Sequence, residues 1–143
     1  MRSMPVILFK KCHVPAILDG TKTVTRRMWT AKRAEAVQDW IRTRTWVKLK
    51  TNRFKKEYFA MAIILDIREE APCRMEPEDC ARGGYPMLTP SEFYGQVLAV
   101  TGEIPMEDRA AVWATGIFGN KRMYRVHFKL MKETVNGEDH DTP

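Results

Sequence analysis

The chain is short of cysteine, histidine and long apolar runs, and each shortage narrows what it can be. Its three cysteines, Cys12, Cys73 and Cys80, form no C-x-x-C pair. An odd, scattered set argues against a disulfide framework or a structural zinc site, so the thiols read as buried or incidental. The three histidines, His13, His127 and His140, are equally dispersed. No metal and no cofactor is expected. No apolar stretch approaches the roughly 20 residues that a membrane helix needs. The opening MRSMPVILFKKC is interrupted at Lys10 and Lys11, too early for a signal peptide. A cytoplasmic protein with no membrane partner is the expectation. Internal repeats, low-complexity tracts and Gly/Ser linkers are also missing. The 143 residues suit one domain with one core, spanning residues 1–135. The polar, acidic tail 136–143 (NGEDHDTP) is expected to be disordered. Nothing in the sequence sets the oligomeric state.

Charge is present and unevenly placed. Residues 1–60 hold 15 Lys+Arg against 4 Asp+Glu, a net +11, whereas residues 61–143 hold 9 against 14, a net −5. A front half this basic suits a polyanion, because each cation set near a phosphate releases condensed counterions. It equally suits a solvated cationic face that favours solubility. The first reading expects the 1–60 half to form a positive face over a cleft.

Hydrophobic periodicity gives the elements. Residues 6–9 (VILF) read as a short buried strand, and 13–19 as a brief helix stopped by Gly20. Residues 31–42 carry apolar side chains at Ala34, Val37 and Ile41, a helical spacing. Residues 45–50 alternate, with Val47 and Leu49 on one face and Trp46, Lys48 and Lys50 on the other. Residues 58–67 read as a longer apolar strand. Residues 76–82 form a short helix with Pro77 in its first turn and Gly83 as its stop. Thr89-Pro90-Ser91-Glu92 is a capping box opening a helix to about Val100. Residues 124–130 alternate again, Tyr124, Val126, Phe128 and Leu130 opposing Arg125, His127 and Lys129. Strands interleaved with short helices indicate an α+β fold, a small sheet curled toward a barrel.

The informative segment is Gly20-Thr21-Lys22-Thr23-Val24-Thr25-Arg26-Arg27. Gly20 allows a sharp turn after a helix. Lys22, Thr25, Arg26 and Arg27 then fall on a short connecting segment, where sites concentrate. One ammonium, one hydroxyl and two guanidiniums close together suit an anionic or carbonyl-bearing ligand. A polar turn with no ligand has the same residues. Of the two arginines, one is expected to be structural and one to face a ligand.

With its surroundings, this segment resembles the N-terminal signature of ASCH domains, G-x-K-x-x-T/E-x-R after a strand and a short helix. The run IILDIREEAPCRMEPEDCARGGYPMLTPSEF resembles the family's second strand, its "PEDA…GGY" helix and its capped "EEF" helix. MYRVHFKL resembles the last barrel strand. The resemblance covers about residues 6–130 and implies a PUA-like β-barrel flanked by short helices, with a cleft that receives RNA or nucleosides. RNA or a nucleoside is therefore the expected partner, with Lys22, Thr25, Arg26, Arg27 and Arg82 as binding residues.

Some small ASCH proteins are amidohydrolases that deacylate N(4)-acetylcytidine with a Lys, a Thr and a Glu. By motif, that Lys matches Lys22 and that Thr matches Thr25, the catalytic candidates. The Glu would precede the Gly-Gly-Tyr turn, where this chain has Arg82 before Gly83 and Gly84. Either Glu78 or Asp79 reaches in from the helix, or the hydrolytic function is absent. The chemistry needs the acid: Thr is a poor nucleophile unless a neighbour accepts its proton, Lys22 does so only with a lowered pKa, and a carboxyl group must protonate the leaving amine. Arg82 cannot donate that proton, but it can grip a phosphate or an oxyanion. Trp46, Lys48 and Lys50 offer a stacking surface, unless Trp46 lies beneath the 31–42 helix. Arg125, His127 and Lys129 are expected on a solvated strand face. Trp29, Trp40 and Trp113 are expected in the core or at its rim.

Overall fold

The computed structural model describes residues 4–135 and 138–139, so the expectation of a disordered 136–143 tail falls mostly outside the described residues. The strands are β1 (Val6–Leu8), β2 (Val24–Thr30), β3 (Val47–Lys50), β4 (Ala60–Glu69), β5 (Ile117–Phe118), β6 (Lys121–Val135) and β7 (Glu138–Asp139). They form a mixed sheet in the order β1-β3-β4-β6-β2, with β5 and β7 paired to β6. Only β1–β3 is parallel. The sheet curls into a half-barrel whose two edges, β1 and β2, are not paired to each other among the described residues. Helices α1 (Val14–Leu18), α2 (Ala31–Thr43), α3 (Glu78–Arg82), α4 (Pro90–Phe93), α5 (Ala99–Thr101) and α6 (Arg109–Thr115) flank it.

Both sheet faces are covered. On the inner face, Val47, Leu49, Ala60, Ala62, Ile64, Val126 and Phe128 meet Ala34 and Val37 of α2. Fully burying an aliphatic side chain such as Val37 is worth about 1.5–3 kcal/mol, which holds α2 on the sheet. Thr30 caps α2 by accepting from the Arg33 amide at 3.3 Å. On the outer face, Met123 of β6 joins Met75, Cys80, Phe93, Leu98, Ile104 and Val112 from the helical layer. The capping box at α4 is present in full: Thr89 Oγ1 accepts from the Glu92 amide, and Glu92 Oε1 accepts from the Thr89 amide. A π-helical turn (Tyr94–Leu98) then carries the chain into α5.

Three sequence expectations change. The 22–27 segment is a loop only as far as Thr23, because β-branched Val24 and Thr25 start β2 against β6. Trp46 is 37% exposed and not beneath α2, since Val47 and Leu49 take the core face and residue 46 has the opposite parity. Arg125 leaves the solvated face expected of it, because α3 covers that end of β6 and supplies Asp79, to which Arg125 donates from Nε at 2.6 Å and from Nη2 at 3.1 Å. Helix α6 and strand β5 had no counterpart in the sequence reading. No helix among the described residues is long and apolar enough to cross a membrane.

Candidate functional site

Between the free edges of β1 and β2 lies a cavity of about 300 Å³. Leu8, Phe9 and Lys10 reach it from the end of β1, and Thr25, Arg26, Arg27, Met28 and Trp29 from β2. Tyr85 and Phe93 come from the helical layer, and His13 and Lys22 from the two ends of the α1 region. The position follows from the topology: a half-barrel that does not close leaves a slot beside its edge strands, and side chains there are held by rigid elements.

Lys22 is placed by a turn. Gly20 takes φ +85° and reverses the chain after α1, and the Lys22 amide then donates back to the Ala16 carbonyl at 2.9 Å. The Lys22 side chain is buried and its Nζ donates to the carbonyls of Gly83 at 2.7 Å and Val24 at 3.2 Å. Gly84, at φ +95°, lies against the aliphatic stem, where an added Cβ would stand 3.5 Å from Lys22 Cδ. Burial first, then the positive charges of Arg27 and Arg26, lowers Lys22 to about 7. Among the described residues no carboxylate pairs with it. Thr25, also buried in the cavity lining, accepts from Arg27 Nε at 3.2 Å.

Arg26 and Arg27 point to opposite faces of β2, as neighbours on a strand must. Arg27 lies over the Phe9 ring, 4.7 Å from its centroid, and has no acidic partner among the described residues. Burial, then Arg33, lowers it to about 10. Arg26 donates to Glu70 and, at 2.7 Å, to Asp79. Asp79 also accepts from Arg82 at 2.9 Å and from Arg125. Burial alone would raise the Asp79 carboxyl, but hydrogen bonds from Arg125, Arg26 and Arg82 hold it well below the usual carboxylate range. It is therefore ionised and committed to arginines, and cannot donate a proton at neutral pH.

The structure thus brings Lys22, Thr25, Arg26 and Arg27 together. It does not bring Arg82, whose side chain is 47% exposed and turned to Asp79, outside the cavity lining. What that turn contributes is backbone: the Arg82 carbonyl accepts from the Thr23 amide at 2.9 Å, and the Gly83 carbonyl from Lys22. Glu78 is exposed and also outside the lining.

Most of the other lining residues were not singled out as site residues in the sequence, among them His13, Tyr85, Phe93 and Glu103. His13 is lowered to about 4 by burial and then by Lys22, Arg27 and Lys10, so it is neutral at physiological pH. Its ring meets Tyr85 edge-on at 5.7 Å. Tyr85 stacks at a tilt on Phe93 at 5.2 Å. Glu103, exposed and at φ +55°, is a carboxylate at the rim. A hint existed for Tyr85, which follows the Gly-Gly turn, and none for Glu103. No group of three or more His, Cys, Asp or Glu side chains among the described residues could hold a metal ion.

No protein-family model and no curated protein matches the chain. Solved structures do. An ASCH domain from Lactobacillus crispatus JV V101 superposes with a TM-score of 0.55 at 10% identity, covering 90% of this chain and 79% of that one. A protein from Enterococcus faecalis V583 gives 0.56 at 9% identity over 98% and 88% of the two chains. A third structure, of a hypothetical protein, gives 0.57 at 12% identity over 90% and 100%. At such identities the likeness speaks for architecture alone. The curled mixed sheet with flanking short helices is the fold of the ASCH domain.

Proposed function

We propose that the chain binds RNA or a nucleotide by taking one base into the cavity between β1 and β2. The observation that carries this reading is the cavity wall itself. Lys22 and Arg27 are cations held largely out of water with no acidic partner among the described residues, opposite the aromatic rings of Phe9, Tyr85 and Phe93. Backbone carbonyls accept from Lys22, and Arg27 meets Thr25 and the Phe9 ring, but no anion among the described residues offsets either charge, and a ligand phosphate does. The volume lies at the small end for ligand pockets and admits a base and its sugar. Lys10 and Lys121, also lining the cavity, suit the attached phosphate. A cytoplasmic setting, expected from the sequence, suits such a ligand.

The test is calorimetric titration with cytidine, cytidine monophosphate and a short RNA. The nucleotide should bind more tightly than the nucleoside, and Arg27→Ala should weaken it about tenfold, the effect of one charge-assisted hydrogen bond. Absence of binding at millimolar ligand, or an Arg27→Ala variant equal to wild type, would sink the reading.

A second reading, amidohydrolysis of an N(4)-acylated cytidine, is favoured by the lowering of Lys22 to about 7. A neutral amine at that position takes the Thr25 proton, Thr25 Oγ1 attacks the acyl carbonyl, a carboxylic acid protonates the departing amine, and water then hydrolyses the Thr25 ester to release the acyl group as its acid. Arg27 Nε already donates to Thr25 Oγ1, which leaves the hydroxyl proton free for another acceptor. Glu103 is the carboxylate that lines this cavity. Release of cytidine from N(4)-acetylcytidine by wild type, lost in Thr25→Ala and reduced at least 100-fold in Glu103→Gln, is the expected signature. No wild-type turnover alongside good nucleoside binding would leave the binding reading alone.

A further inference from the structure

The loop joining β3 to β4, residues 51–59, has the sequence TNRFKKEYF. Its Phe54 is 93% exposed, the largest value among the exposed large apolar side chains. Arg53, Lys55 and Lys56 flank it, all exposed, and Glu57 is the loop's one anion. A solvent-exposed phenyl ring loses hydrophobic stabilisation, and three adjacent cations repel one another, so folding gains nothing from this arrangement.

The loop is nevertheless built. Lys50, buried at the end of β3, donates from Nζ to the Lys55 carbonyl at 2.7 Å and straps the loop across. Asn52 Oδ1 accepts from the Phe54 amide at 2.9 Å, a side-chain turn that fixes the tip. These bonds present the ring outward rather than letting it fold back on the sheet.

The loop also starts where the cavity opens. β1 runs parallel to β3 with Leu8 opposite Lys50, and the Phe9 amide donates to the Lys50 carbonyl at 2.8 Å. Phe9 and Lys10, the next residues of that strand, are cavity wall. A second bridge runs through Arg33, whose guanidinium lies over the rings of Trp29, at 5.3 Å, and Trp40, at 4.9 Å. Trp29 lines the cavity, and burial first, then the charge of Arg53, lowers Arg33. Cations and rings thus link the cavity wall to the start of the loop.

We infer that the 51–59 loop is a second contact for single-stranded nucleic acid, with Phe54 stacking on a base a few nucleotides from the one in the cavity while Arg53, Lys55 and Lys56 hold the phosphates between. It rests on the cavity reading for the direction of the strand. An aromatic ring amid cations is the combination that binds single strands with little sequence preference, because every base has a π face and every nucleotide a phosphate. Nothing in the loop recognises a 2′-hydroxyl, so RNA and DNA of the same length are expected to respond alike.

The experiment uses fluorescence anisotropy with labelled uridine and deoxythymidine octamers, and calorimetry with cytidine monophosphate, on the full chain. Phe54→Ala should weaken both octamers about 5- to 100-fold while leaving the mononucleotide unchanged. Phe54→Trp should restore or tighten octamer binding, which a merely structural role would not do. The triple change of Arg53, Lys55 and Lys56 to Ser should lower the slope of log affinity against log salt by about 2, from about 0.7 per cation on a single strand. Octamers bound equally by wild type and Phe54→Ala would overturn the inference. So would octamers bound no more tightly than the mononucleotide, or a Phe54 effect confined to vesicles of anionic lipid. Failure of the mononucleotide to bind any variant would end the cavity reading, and the Phe54 dependence of the octamers would still decide the loop.

Discussion

The two faces of β2 handle positive charge in opposite ways. On the outer face, Arg26 belongs to a knot in which Asp79 and Glu70 neutralise Arg26, and Asp79 also binds Arg82 and Arg125. On the opposite face Arg27, and just before the strand Lys22, have no such partners among the described residues, and burial lowers both. Strand alternation alone puts successive arginines into these two settings. The contrast separates charge that fixes the helical layer to the sheet from charge kept available for a ligand.

Breaking the paired side should have the largest effect. Asp79→Ala strands Arg125 and leaves Arg26 with Glu70 alone, and these side chains are 11% and 1% exposed, so a loss of about 3–5 kcal/mol in urea unfolding is expected. Because the folded carboxyl titrates below its unfolded value near 4, its contribution is complete above that pH and is lost as pH falls through the folded value. The variant should therefore lose less stability on acidification than wild type. A cost below 1 kcal/mol would show that the knot is not what holds α3.

The unpaired side should respond to pH in the same direction but in a higher pH window. Lys22 titrates at about 7 when folded and near 10.5 when unfolded. Between those values the unfolded chain binds more protons, so stability rises with pH, by up to about 1.4 kcal/mol per unit. The stability of wild type relative to Lys22→Met should climb from pH 7 to pH 10 and be flat below pH 7. A flat difference throughout would mean that Lys22 is not desolvated.

Arg82→Ala should have the smallest effect. It is the exposed member of the knot, and exposed pairs contribute about 0–1 kcal/mol. Nucleotide affinity should not move. A marked drop would bring Arg82 into the site that its side chain now faces away from.

Much of this was legible in the sequence, and the gaps have a common cause. Gly20 as a stop, α2 by its Ala34 and Val37 spacing, and the capping box at Thr89 are local signals, and all three stand in the structure. Lys22 and Thr25 belong to one short motif and both line the cavity. The Asp79 knot joins β2, α3, β4 and β6, and no local pattern announces it. Alternation along 124–130 shows two faces but not that a helix covers the second, so Arg125 looked solvated. Position in sequence points to Arg82 for the acid. Glu103 reaches the cavity rim instead because α5 and the turn after it lie over β2. Phe54 gives no signal in the sequence, because a single ring among cations carries no periodicity.

The thin attachment of β1 has a consequence for when the cavity exists. β1 contributes three residues of ladder and joins β3 about forty residues further along the chain, whereas β2, β4 and β6 share long antiparallel runs. Closing so long a loop costs entropy that three pairs barely repay, so β1 should dock late in folding and be the first strand to detach. The cavity would then be assembled last and could open without unfolding the rest. In native-state hydrogen exchange, the amide of Phe9 should open at a lower free energy than that of Val126, and bound nucleotide should raise the first and spare the second.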